Sequence, residues 1–167
     1  PAVSQLEFLH HVAQLCAALE GRGKRALEAA RYMADYTVDQ ELMRDPSMAT
    51  LQHYYSIPWY ILVKFEQWDD ILAEPQPDSV LVYPRIIWHY ARGMALCGKN
   101  NAAAARRELA AIQLLEPHES LKTMTIWEIN NALDLVHIAQ SVLEGEIAFR
   151  SGDLASAIRW YRAAVEQ

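Results

Sequence analysis

The spacing of small residues limits most strongly how this chain can fold. Gly145 stands 12 residues before Ala157, with Tyr161 and Ala164 following at 4 and 7. The same rhythm runs from Gly93 to Ala105, Leu109 and Ile112, and Ile71 lies 34 residues before Ala105. A fainter copy holds Ala26, Ala30 and Met33 in the same phase. A Gly or Ala on one helix facing an Ala on the next lets two backbones approach while larger side chains lock around them. One such pair cannot bury both of its faces, so pairs of this kind stack on a shared core.

The rest of the chain agrees. Apolar residues recur at three- and four-residue intervals almost throughout, and β-branched alternation bounded by turns is missing, which predicts an all-α protein. Breaks fall at Gly21-Arg22-Gly23, Asp45-Pro46, Pro75-Gln76-Pro77, Gly98 to Asn101, Pro117 and Ser151-Gly152-Asp153. Each supplies a helix-ending Gly, a Pro, or an Asp or Asn suited to start a helix. The predicted helices are 4–19, 24–35, 47–66, 68–74, 81–98, 101–115, 129–150 and 153–166. They group into four pairs: 4–35, 47–74, 81–115 and 129–166.

The last copy, LEGEIAFRSGDLASAIRWYRAAVE, resembles the tetratricopeptide repeat (TPR) family. Gly145, the Gly152-Asp153 turn, Ala157, Tyr161 and Ala164 all stand where that family's pattern places them. The copy around Gly93 and Ala105 is also good, and the two earlier ones depart from the pattern. Trp59 takes the small-residue place, Ile71 replaces the alanine, and Pro75 cuts the second helix short. Equivalent positions are 45, 34 and 52 residues apart, so insertions lie between Tyr36 and Met48 and between Glu116 and Glu128.

The resemblance implies a single domain over 1–167, a right-handed α-α superhelix (solenoid) of about four antiparallel helix pairs. The apolar stripe Ile158, Tyr161, Ala164 and Val165, with Trp160 off to one side, lacks the polar face that ends such an array. The chain is therefore expected to be a fragment of a longer array, or to self-associate as a homo-oligomer through this last helix.

In such a superhelix the first helix of each pair lines a concave groove. By the repeat phase that groove carries His11, Leu15, His53, Ser56, Tyr60, Lys64, Tyr90, Met94, Glu146 and Arg150. Aromatic, Met and Arg side chains suit a protein or peptide surface, where a few anchors carry most of the energy. The alternative is that irregular repeats close up and bury Tyr60, Tyr90 and Met94 as core. The family's clamp for chaperone C-termini uses Lys, Asn and Arg at places matched here by His11, Leu15, Ile57, Ile87 and Ala91, so that ligand is disfavoured.

Other classes of function find little support. A net charge of −6 argues against a grip on nucleic acid or an anionic membrane. Cys16 and Cys97 sit in apolar helical patterns and are read as buried thiols. Glu7-Phe-Leu-His10 puts two metal-type ligands on one helix face, but only Asp134-Leu-Val-His137 offers a poor second, and a di-iron centre needs more. Gly21-Arg22-Gly23-Lys24 lacks the leading Gly and trailing hydroxyl of a phosphate loop. No catalytic residues, cofactor or metal are expected. The expected function is a non-enzymatic scaffold for a protein or peptide. The alternatives are a regulatory or assembly segment of a larger enzyme or sensor, holding a neighbouring domain or a small ligand, and a helical enzyme whose catalytic residues go unrecognised. No segment fixes the compartment, and the cytoplasm is favoured.

Overall fold

The computed structural model describes residues 5–39, 41–45 and 48–167, and Ser4, Pro46 and Ser47, named in the predicted helices and breaks, lie outside them. Nine α-helices occur among the described residues: α1 (Gln5–Leu19), α2 (Gly23–Tyr32), α3 (Ala49–Lys64), α4 (Trp68–Ala73), α5 (Val82–Gly98), α6 (Ala102–Leu115), α7 (Glu119–Thr123), α8 (Ala132–Arg150) and α9 (Leu154–Glu166). A π turn, Met33–Thr37, continues α2, and a 3-10 turn covers Leu42–Arg44. None of the helices is long and apolar enough to cross a membrane, among the described residues.

Helix starts follow local chemistry. Asn101, Asn131 and Asp153 each accept a backbone N–H of the first turn through the side chain, at 3.1, 2.8 and 3.0 Å respectively. Such caps satisfy donors that the helix itself leaves orphaned. Between α8 and α9, Gly152 adopts φ +80°, a left-handed conformation that glycine reaches without a Cβ penalty.

The repeat phase marks the buried side of the second helices. Ala26, Ile71, Ala105 and Ala157 are all buried, although they come from four different helices. Helix α1 packs on α2, α4 and α6 on α5, and α8 on α9; α2 also packs on α3, α3 on α5, and α5 on α8. Helix α5 is the hub, burying Tyr83, Ile86, Ile87, Ala91, Ala95 and Cys97. A second cluster, with Ala26, Ala30, Met33, Tyr54 and Ile57, fills the space between α1, α2 and α3.

The glycines admit bulky neighbours rather than facing alanines. A Cβ on Gly145 would lie 2.7 Å from the Tyr161 ring of α9, and one on Gly93 would lie 2.6 Å from Leu143 of α8. Gly145 thus seats a ring within its own pair, while Gly93 seats a side chain of the next. On α9, Tyr161 and Ala164 are half-buried, but Ile158 and Val165 face solvent, so the expected single stripe divides. Cys16 is exposed, contrary to the buried thiol expected, because it lies on the face of α1 that also leaves Val12 and Leu19 exposed.

The chain between α6 and α8 is where the structure adds most. The predicted helix 129–150 begins only at Ala132, preceded by α7 and an antiparallel hairpin of β1 (Thr125–Ile126) and β2 (Asn130–Asn131). Leu121, Met124 and Ile126 are buried, which fastens this insertion to the core. Its turn projects Trp127 towards α3, where the Trp127 N–H donates to Thr50 Oγ1 at 2.9 Å.

Gly145→Ala is expected to destabilise the protein by about 1–3 kcal/mol, because the rigid Tyr161 ring must yield, despite alanine's better helix propensity. Thermal melting followed by circular dichroism checks this. An unchanged or higher melting temperature would show that the ring does not hold α9 against this glycine.

Candidate functional site

Stripes on α1 and α3, a short run on α8, and Tyr90 of α5 enclose a cavity of about 410 Å³. From α1 come His11, Gln14, Leu15, Ala18 and Leu19, at the 3.6-residue spacing of a single face. From α3 come His53, Ile57, Tyr60, Ile61 and Lys64, again one face. Leu135, Ile138, Ala139 and Val142 of α8 form the opposing apolar wall.

At one end the lining residues His11 and His53 contact aromatic rings that lie outside the cavity lining. His11 lies 5.2 Å from the Tyr54 ring and 5.1 Å from the Trp127 indole, and His53 lies 5.7 Å from the same indole. Hydrogen bonds tie the group together. The Trp127 indole N–H donates to the Tyr54 hydroxyl at 3.1 Å. His53 Nδ1 pairs with the Tyr83 hydroxyl at 3.0 Å, and that hydroxyl also meets the Tyr60 hydroxyl at 3.3 Å. The Gln14 amide nitrogen pairs with His11 Nδ1 at 3.3 Å.

Burial keeps this end uncharged. It lowers the His11 pKa, and for His53 burial together with nearby His11 brings it down to about 4. Burial likewise pushes the Tyr83 and Tyr90 phenols up to about 12 and raises that of Tyr60 well above the usual range. Near neutral pH the rings therefore offer hydrogen bonds and apolar faces but no charge.

Six of the expected groove residues, His11, Leu15, His53, Tyr60, Lys64 and Tyr90, line this one cavity. The other four lie outside its lining. Ser56 is buried and donates its hydroxyl to the Gln52 carbonyl at 2.8 Å within α3. Met94 packs against the main core, as do Tyr60 and Tyr90, which the closed-up alternative also assigned there. Glu146 accepts from Arg150 and from the Tyr161 hydroxyl, each at 2.8 Å, which ties both groove candidates of α8 into contacts near the α8–α9 pair.

The α8 wall and Trp127 were not anticipated. Tyr90 stands three residues before Gly93, and Val142 three before Gly145, so applying Tyr90's spacing to the last repeat points to Val142. Leu135, Ile138, Ala139 and Val142 also carry the helical i, i+3, i+4, i+7 pattern. For Trp127 no local signal exists, since its place depends on how the insertion folds back.

The Glu-x-x-His idea finds no support in the geometry. His10 stacks on Tyr32 at 4.4 Å, His137 pairs with Glu116 at 3.3 Å, and the Glu7 side chain is outside the described residues. Among the described residues, no group of three or more His, Cys, Asp or Glu could hold a metal ion. Comparison with models of known protein families, with curated proteins and with solved structures gives no match to this chain.

Because folded His53 resists protonation, the unfolded chain takes up its proton first as pH falls. Its contribution is fully present above about pH 6.5 and is lost down to about pH 4, a change on the order of 3 kcal/mol. Urea denaturation of the parent and His53→Gln at pH 7 and pH 4.5 should therefore show the parent losing more stability on acidification. Equal losses would contradict a buried neutral imidazole.

Proposed function

We propose that this chain is a non-enzymatic binding module, a right-handed array of about four irregular helical pairs resembling TPR, whose inner face holds a protein or peptide segment. The carrying observation is the convergence of α1, α3, α5 and α8 on one apolar cavity with few polar groups. Six of the ten residues expected from the repeat phase line it. Aromatic and aliphatic pockets of this kind accept anchor side chains, which supply most of the energy of a protein interface. Beside the cavity, Phe8, Val12, Leu15 and Leu19 form an exposed apolar stripe along α1, a landing surface continuous with the pocket edge.

A second reading is favoured by the size of the cavity. Its volume falls within the range of about 300–1,000 Å³ typical of small-molecule sites. In this reading the chain is the regulatory or sensing part of a larger assembly. In both readings the exposed Leu154, Ile158 and Val165 of α9 provide a further surface suited to a neighbouring copy.

The peptide reading predicts that Leu15→Glu, which charges the half-exposed edge of the cavity, removes partners that the parent retains from a cell lysate. Mass spectrometry identifies the retained proteins, and circular dichroism confirms equal helicity. A retained set indifferent to the substitution counts against the inner face as the peptide site.

A further inference from the structure

We propose that the cavity between α1, α3, α5 and α8 binds an elongated apolar monocarboxylate, with its carboxylate at Lys64 and its tail towards the end that carries His11 and His53. This deepens the small-ligand reading of the cavity and rests on it.

The direction of the site follows from helix ends. Helices α1 and α3 run the same way: His11 in the middle of α1 meets Tyr54 near the start of α3, and Gly23, which opens α2 four residues after α1 ends, meets Phe65, just after α3. The α3 stripe from His53 to Lys64 spans 11 residues, about 16 Å at the helical rise. One end thus carries the His11 and His53 rings, and the other the exposed Lys64. Between them the walls are Ile57, Ile61, Ile138 and Val142.

Charge decides which end of a ligand goes where. Lys64 is the only Lys, Arg, Asp or Glu among the residues lining the cavity, and it makes no ion pair among the described residues. A single ammonium matches one carboxylate, whereas a phosphate dianion calls for more positive charge. At the aromatic end the hydroxyls of Tyr54, Tyr60 and Tyr83 already have partners, and the imidazoles are neutral. An anion buried there would lack a counter-charge, so the tail takes that end. Cationic ligands meet Lys64, and sugars find too few polar groups.

Isothermal titration with decanoate and with uncharged decanamide, both below aggregation, tests the assignment on the parent chain. One decanoate is expected to bind per chain, decanamide about tenfold more weakly, and Lys64→Gln to abolish that difference. Ala139→Phe, which fills the cavity, should remove binding of both, and Leu15→Glu at the half-exposed edge, which leaves the core untouched, should weaken decanoate. Equal binding of the two probes by parent and Lys64→Gln overturns the carboxylate assignment while leaving a small-ligand cavity. Binding of neither probe, or binding unaffected by both Ala139→Phe and Leu15→Glu, overturns the site itself, and the peptide reading then stands or falls on its own pull-down.

Discussion

Trp127, seated against His11, His53 and Tyr54, ties the insertion before α8 to α1 and α3. Its indole N–H is spent on Tyr54 and its backbone N–H on Thr50, so both its donors are tied to α3. The turn that carries it is costly. Trp127 and Glu128 both adopt left-handed φ values, 53° and 57°, with Ile129 N–H closing the turn onto the Ile126 carbonyl. For residues with a Cβ such a conformation costs about 1–3 kcal/mol each and persists only where surrounding contacts impose it. Here the imposing contacts are Ile126 and Leu121 in the core and the stacked rings around Trp127.

Hydrogen bonds pin the rings around Trp127 to one another: its indole to Tyr54, and His53 to Tyr83, which in turn meets Tyr60. Their neutrality follows from the same burial: desolvation penalises the charged imidazole and phenolate forms, leaving Lys64 at the far end as the cavity's charge. A gradient from apolar and neutral to cationic along one face of α3 is therefore a consequence of packing, with no specialised residue required.

Residues of α1 and α3 come together in one cavity because helix period acts locally. His11 and Leu15 share a face four residues apart, and so do Tyr60 and Lys64. Other side chains have partners within the fold. Ser56 turned to its own helix carbonyl, as buried hydroxyls commonly do, and Glu146 was claimed by Arg150 and Tyr161. Helix α8 contributes its first half, Leu135 to Val142, rather than the Glu146–Arg150 turn, because that later turn is engaged with Tyr161 of α9.

By itself the sequence determined the all-helical character, the breaks between helices, and the buried phase of Ala26, Ile71, Ala105 and Ala157. Each of these follows from hydrophobic period, capping residues and the need for small side chains at close contacts, and these operate within a few turns of chain. Tertiary structure alone decided that the insertion before α8 folds back some 75 residues to α3, that Trp127 lies against His11, His53 and Tyr54, and that Cys16 stays exposed. Those outcomes depend on which distant surfaces happen to be free when the helices pack. A residue's nearest sequence neighbours carry no record of that.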